Sequence, residues 1–483
     1  MVKLDFLSVL DEKAQFLNDF SDDIWANPET AFTEFHAAGR YCSALRSEGF
    51  EVTENLAGIP TAFSGRFGSG HPVIGVLAEF DALSGLSQEG GVTEKRTVGG
   101  ACGHGCGHNL LGTASLGAAI AIKRFLETQK CPGTVILFGC PGEEGGSGKA
   151  FMARDGVFDE LDAALCWHPD ENTGVRVQTS LANCQVLYKF NGKAAHAGAE
   201  PHLGRSALDA VELMDVGANY LREHMIDQAR VHYAITDAGG FSPNVVQPHA
   251  EVLYLIRAPR SAQVKELYER VNDIARGAAL MTGTTVEIDF VKACSDTILN
   301  DTLQRVLYEK MAQIGVPEIT EADEAFAREL TETALIEYPK ADPVHPIHDE
   351  LLPYTGQIEY ECGSAPILDF LIPYHHSKKV EMGSTDVGDV SWVCPTVQAK
   401  AATWAFGTPC HSWQAVTQGV MPLAHKMTLY IAKSLAAMGA ELMVNAELLE
   451  RAKQEHRRLV GPEGYVCPIP KGVKPRSMDS LHK

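Results

Sequence analysis

Two cysteines, two histidines and five glycines crowd into residues 100–112, Gly-Ala-Cys-Gly-His-Gly-Cys-Gly-His-Asn-Leu-Leu-Gly. Thiolate sulfur and imidazole nitrogen are the usual donors to zinc, and glycine lets a backbone turn closely around a bound ion. A metal site is the chemistry this stretch favours; a glycine-rich turn with incidental cysteines is the plainer alternative. Cys102-Gly103-His104 and Cys106-Gly107-His108 are near copies, and a Cys-x-His spacing alone does not choose between them. The second copy abuts Asn109, a good helix N-cap, followed by the apolar Leu110, Leu111, Ala114 and Leu116. This order predicts Cys106 and His108 on a short loop just ahead of a helix that runs to about residue 126.

Three further signals lie where strands should end. The apolar run 73–78 leads into Glu79-Phe80-Asp81, and open α/β sheets place ligands beyond such strand ends. A second apolar run, 132–140, leads into Pro141-Gly-Glu-Glu-Gly-Gly-Ser-Gly148. Adjacent carboxylates repel unless a cation or a proton lies between them, so Glu143 and Glu144 point to a metal or to acid–base work rather than to a solvated acidic turn. A third run, 161–168, ends on His168, and a histidine there is a candidate ligand mainly because it is the third donor in such a place. Near the end, Gly407-Thr-Pro-Cys-His411 puts His411 on a loop with a cysteine beside it.

The elements that must position these groups follow from pattern. Helical spacing of apolar residues covers 6–26, stopped by Asn27-Pro28, and 35–45. Between about 182 and 297 the order is strand, helix, strand, strand, helix, strand, which is ferredoxin-like and reads as an insertion. The acidic segment 321–337 reads as a solvated helix face, residues 424–458 as an amphipathic helix or pair, and the segment after Gly464 as a basic end. At 483 residues the chain is expected to form more than one domain: 1–181, the insertion 182–297, and 298–483 completing the first. A formal charge of −21 argues against nucleic acid as main partner. Cysteines spread singly, the start Met1-Val-Lys-Leu-Asp-Phe and the lack of an apolar run near the ~20 residues of a membrane span predict a cytoplasmic protein that does not enter a membrane.

In this order the signals resemble the M20 family of metallopeptidases and amidohydrolases, in particular its branch with a Cys-Gly-His motif. There His-Ala-Cys-Gly-His-Asp precedes an apolar helix, and His104-Gly-Cys-Gly-His-Asn109 aligns with it without a gap, which selects the second copy. The resemblance implies a fold of class α/β: a mixed-sheet catalytic domain holding two divalent ions, zinc or manganese, with an inserted ferredoxin-like α+β lid and dimerisation domain. It implies Cys106, His108, Glu144, His168 and His411 as ligands, Glu143 as general base and Asp81 as the carboxylate that orients a histidine ligand. In the inserted domain it implies that His196 approaches the scissile carbonyl across a dimer interface. Asn244 and Arg257 would hold the substrate's carbonyl or carboxylate. Gly105 for Ala, Asn109 for Asp, Glu79 for Asp and Ser384-Thr385-Asp386 for Ser-Glu-Asp depart from the branch and bear on substrate preference.

The expected chemistry is hydrolysis of the amide of an N-acyl or N-aroyl amino acid, a small molecule whose carboxylate suits a bidentate Arg257. The expected assembly is a homodimer or a heterodimer with a related subunit. Two other readings stand beside it: a hydrolase using Cys106 as nucleophile, which leaves Glu143-Glu144 unexplained, and a subunit inactive without its related chain.

Overall fold

Every residue of Val73–Ala78 and of Gly133–Gly139 is buried, as continuous apolar runs covered on both faces must be. These strands lie at the centre of a seven-stranded sheet in a computed structural model that describes residues 2–337 and 366–477. Across the sheet the order is Glu51–Glu54, Phe63–Ser69, Gly133–Gly139, Val73–Ala78, Ala163–Asp170, Thr396–Ala402 and Gly174–Val175. The four strands from Gly133–Gly139 to Thr396–Ala402 run parallel, while the flanking pairings are antiparallel, so the sheet is mixed as expected. Parallel strands bring their C-terminal ends to one edge, and the residues after or near those ends include Asp81, Glu143, Glu144 and His168.

The helix that follows the donor-rich stretch is His108–Gln129. It is pinned to the sheet by Ser115 Oγ donating to Leu77 O (2.6 Å) and by Trp167 Nε1 donating to Leu111 O (2.9 Å). It packs on the long helix Pro422–Val444. A Cβ on Gly117 would stand 3.2 Å from Ala432 Cβ, so a side chain there would push the two helices apart. The expectation of an amphipathic pair at 424–458 is half met. Ala446–Val460 exposes much of its surface, but Pro422–Val444 is buried along most of its length. By length and composition Pro422–Val444 could cross a membrane, contrary to the reading that no such run exists, yet 78% of its apolar window is buried in the fold. Helices apolar nearly all round are core helices in this setting. Helix 321–337 forms as Glu321–Glu337, with Ala327 and Leu330 buried. The run 6–26 is broken at Lys13, giving Ser8–Glu12 and Ala14–Ala26.

Chain contacts divide the molecule into two units. The first comprises Met1–Gln178, Ile298–Lys378 and Val393–Gly464, and contains the seven-stranded sheet. The second comprises Thr179–Thr297 together with Lys379–Trp392 and Tyr465–Lys483. Its sheet has four antiparallel strands ordered Arg230–Asp237, His249–Ala258, Ala182–Asn191 and Thr285–Cys294, the arrangement of a ferredoxin-like βαββαβ unit. The sequence pattern places 379–392 and the end after Gly464 with the first unit, but side-chain bonds tie them to the second. Asp389 accepts from Ser295 Oγ (2.8 Å) and Tyr465 OH (2.7 Å), and Arg476 grips Asp289 with two bonds of 2.6 and 3.0 Å. Residues 478–483, the last of that basic end, lie outside the described residues.

Candidate metal centre

The turn into helix His108–Gln129 is made by Gly107, whose φ of 72° is a left-handed conformation that glycine adopts without penalty. Asn109, expected to cap this helix, lies instead inside the first turn. It donates to Ser21 Oγ and Gly419 O, both at 3.0 Å, so its amide ties distant segments together. His108 is the first helical residue and is fully buried. Its Nδ1 is 2.9 Å from Asp81 Oδ1, and a carboxylate there fixes the proton on Nδ1 and leaves the Nε2 lone pair facing the cluster. The other Asp81 oxygen accepts from the Glu144 backbone N–H at 2.9 Å, so one carboxylate orients both a histidine and the acidic loop.

Around His108 Nε2 the remaining donors converge. Cys106 Sγ lies 3.3 Å from His168 Nε2, and the His168 Nδ1–H donates to Pro169 O at 2.6 Å, which turns its Nε2 lone pair toward the cysteine. His411 Nε2 is 3.2 Å from Glu144 Oε1. Three groups of donors have ligand atoms within 4.8 Å of one another: Cys106, His108 and His168; Cys106, Cys410 and His411; and Glu79, His108 and Glu143. The structure thus brings together all five predicted ligands with Glu143 and Asp81. It resolves the two copies of Cys-x-His as well. His104 turns into the core, its Nε2 3.2 Å from Ile24 O, and Cys102 joins a short strand with Leu83–Ser84. Burial holds the His104 imidazole neutral, with a pKa lowered to about 3.

Two residues of the site do not stand out as a pair in the sequence. Glu79 Oε2 lies 3.3 Å from His108 Nε2, and Glu79 Oε1 receives Lys149 Nζ at 2.7 Å. Both side chains are almost wholly buried. Burial alone would raise the Glu79 pKa, but Lys149 and then His108 outweigh it and hold the carboxyl below its ordinary range. The signal for Glu79, a carboxylate at a strand end, is present in the sequence. That for Lys149 is not, since its partner is remote in the chain.

A cation fits this donor set. His108 Nε2 and Glu144 Oε1 are buried without a hydrogen-bond partner, and such atoms are costly unless something else satisfies them. For Glu144 burial acts upward, but His411, with Nε2 3.2 Å from Oε1, and the charge of His108 prevail, bringing its pKa to about 2. His411 is raised to about 10 by Cys410 and then by Glu144, which lie against its ring. His108 is likewise raised well above its ordinary value, the carboxylate of Asp81 overcoming burial. Carboxylates gathered out of water hold protons on the neighbouring imidazoles, and a divalent ion supplies the same positive charge. His411 also adopts φ 56°, a conformation uncommon for a residue with a side chain and found where surrounding structure enforces it.

The three residues predicted for substrate contact lie in the second unit. His196 is exposed, and its Nδ1 accepts from the backbone N–H groups of Gly198 (3.2 Å) and Ala199 (3.0 Å), so the neutral ring carries its proton on Nε2 as a free donor. An isolated bridge pairs His196 with Val245, and Ala197 N donates to Asn244 O at 2.9 Å, bringing His196 and Asn244 together. Arg257 sits on His249–Ala258. Its Nη1 donates to Ser384 Oγ at 3.3 Å, and its Nε is buried without a hydrogen-bond partner.

The parallel strand ends, the histidine–carboxylate pair and the clustered thiol, imidazole and carboxylate donors define a metallohydrolase-type site. Residues 76–463 match the model of peptidase family M20/M25/M40, and the chain belongs to this family. It is an enzyme acting on amide or peptide bonds. Among individual proteins, it is 49% identical over 462 residues to a subunit of p-aminobenzoyl-glutamate hydrolase from Escherichia coli (strain K12), covering 95% of this chain and 96% of that one. The fold is shared with an aminobenzoyl-glutamate utilization protein from Klebsiella pneumoniae, with TM-score 0.60, 17% identity, and coverage of 91% of this chain and 98% of that chain. It is also shared with a dinuclear metal binding peptidase of the M20 family from Bacillus subtilis, with TM-score 0.53, 15% identity, and coverage of 88% and 98%.

Proposed function

We propose that the chain hydrolyses the amide bond of N-aroyl or N-acyl amino acids, with p-aminobenzoyl-glutamate, released as p-aminobenzoate and glutamate, as its substrate. The observation that carries this reading is the pair of unpartnered buried atoms, His108 Nε2 and Glu144 Oε1, inside a cluster of cysteine, histidine and carboxylate donors. Cys106, His108, Glu144, His168 and His411 hold two divalent ions, zinc or manganese. Bound there, such ions lower the pKa of a water and polarise an amide carbonyl. Glu143, beside His108 and Glu79 but outside the ligand set, takes the proton from the attacking water and passes it to the leaving amine. Asp81 keeps the His108 Nε2 lone pair directed inward. His196, with Nε2–H free to donate, stabilises the charge that grows on the carbonyl oxygen. Asn244 positions the same group, and Arg257 receives the substrate carboxylate.

The second unit serves as lid and dimerisation domain. Its outer strand Arg230–Asp237 is an edge with exposed Tyr233 and Ile235, beside a helix, Ala207–Leu221, that exposes Leu213, Val216 and Tyr220. Unpaired edges with apolar side chains are ready surfaces for a second chain. The partner is a second copy or a related subunit, a choice raised by the word "subunit" in the relative's name.

A cysteine-nucleophile reading fits less well, although Cys106 lies beside His168. A cysteine nucleophile leaves the carboxylates gathered at the cluster, Glu143 and Glu144 among them, without a role. The test is glutamate release from p-aminobenzoyl-glutamate by the purified chain, loaded with zinc or manganese, with a metal count on the same sample. Hydrolysis abolished by chelation and restored by metal supports the reading. Turnover indifferent to chelators but lost on thiol alkylation refutes it in favour of Cys106 as nucleophile. Bound metal without turnover, followed by turnover on adding a related subunit, identifies an obligate heteromer.

A further inference from the structure

We propose that Cys410 is itself a metal ligand, so that the outer ion of the site is held by the thiolate pair Cys106 and Cys410 with His411, and is zinc in preference to manganese. This rests on the metal-site reading above and adds to it a donor outside the five expected ligands.

The ligand atoms of Cys106, Cys410 and His411 lie within 4.8 Å of one another, near enough that small side-chain adjustments bring each to the about 2.0–2.3 Å that a zinc ion requires. Glu144 supplies a fourth donor. Its side chain is nine-tenths buried, its Oε1 has no hydrogen-bond partner, and that atom lies 3.2 Å from His411 Nε2. Two sulfurs, one nitrogen and one oxygen make a tetrahedral set suited to zinc. Soft thiolates favour zinc, whereas manganese favours oxygen-rich sites. A second thiolate strengthens that preference.

The backbone holds the pair in place. His411 N donates to Gly105 O at 3.2 Å, tying the loop that carries Cys410 to the loop that carries Cys106. A Cβ on Gly105 would lie 2.6 Å from Leu86 Cδ1 and 3.3 Å from Leu83 Cδ1, so glycine there lets the Cys106 loop pack closely on its neighbours. Cys410 and His411 are exposed where Cys106, His108 and Glu144 are not, so a soluble reagent can reach the Cys410 sulfur.

The experiment uses cobalt as a coloured substitute for zinc in the full chain, kept reduced with a phosphine. Thiolate-to-cobalt charge transfer absorbs in the near ultraviolet in proportion to the number of sulfurs bound. The expected result is a clear loss of this band in Cys410→Ser, with zinc affinity of the outer site weakened by at least ~10–100-fold, the loss typical of even an outer partner. The zinc-over-manganese preference narrows with it. An independent measurement needs no variant: alkylation mapped by mass spectrometry labels Cys410 in the chelated wild-type chain and spares it once zinc is bound. An unchanged cobalt band in Cys410→Ser, or equal alkylation with and without zinc, overturns this proposal while leaving the five-ligand site standing. Failure of the wild-type chain to bind cobalt at all overturns both.

Discussion

Replacing Lys149 by methionine isolates the buried charge pair beneath the candidate centre. Lys149 Nζ and Glu79 Oε1 are 2.7 Å apart, with side-chain exposures of 0% and 4%, so neither charge is screened by water. Met conserves most of the volume and removes the cation, leaving Glu79 buried beside Glu143 with its main compensating charge gone. Breaking one side of a buried pair typically costs about 3–5 kcal/mol, and the expected loss in Lys149→Met is of that size. The double variant Glu79→Gln with Lys149→Met removes both charges, and most of the loss is expected to return. The pH dependence has a definite sign. The folded Glu79 pKa lies below its ordinary value of 4.5, so the pair's contribution is complete above that value and fades as pH falls further through the folded pKa. The deficit of the single variant therefore shrinks on acidification, because protonation neutralises the orphaned carboxylate. Urea unfolding of chelator-treated protein, followed by tryptophan fluorescence, excludes stabilisation by bound metal from the comparison. A single-variant loss below about 1 kcal/mol, the range of exposed pairs, would refute the reasoning, as would a double variant no more stable than the single one.

Other expectations concern the groups around this pair. Asp81→Asn sets an amide against His108 Nδ1 or the Glu144 N–H, favouring the tautomer that carries a proton on Nε2; metal affinity measured by competition with a chromophoric chelator should fall ~10–100-fold. Glu143→Ala is expected to abolish turnover while the metal count of the purified protein stays at the wild-type value. Cys106→Ala is expected to lose metal, and full stoichiometry in that variant would sink its assignment as ligand. In Gly148→Ala the new Cβ would stand 2.0 Å from Pro141 O, a backbone atom that cannot swing aside, so the loop carrying Glu143 and Glu144 must shift. Urea unfolding should show a loss of about 1–3 kcal/mol, accompanied by weaker metal binding.

Much of this fold was legible because its signals are local. The runs 73–78 and 133–139 are almost wholly apolar and form fully buried parallel strands. The order of elements in the insertion was legible for the same reason. Misreadings arose where a residue serves a distant segment. Asn109 has the side chain of an N-cap, yet it is spent on Ser21 and Gly419, and Gly107 makes the turn. The helix at 422–444 carries Lys426 and Lys433, which suggests a wet face, but their ammonium groups reach Asp323 and Asp11 at 2.6 Å. Long side chains can carry charge outward from a helix that is otherwise enclosed.

The site shows the same division between donor type and donor partnership. Cys106, His108, Glu143 and Glu144 stood out because glycine-rich loops at strand ends bear few residues capable of chemistry, and these are among them. Cys102 and His104 equal Cys106 and His108 in type and spacing; the place before an apolar helix and the match to the family motif favour the second copy. In the fold the two differ in where each ring points, His104 toward Ile24 O in the core and His108 toward Asp81 and the cluster. Ring direction depends on residues far along the chain, so no local pattern holds it. Cys410 is the sharper case. Beside His411 on a Gly-Thr-Pro loop it is an ordinary exposed cysteine, and only the approach of that loop to Gly105 brings its sulfur to Cys106. Two sulfurs that close to each other and to an imidazole either share a proton or share a metal. The unpartnered oxygen of Glu144 beside them favours the metal.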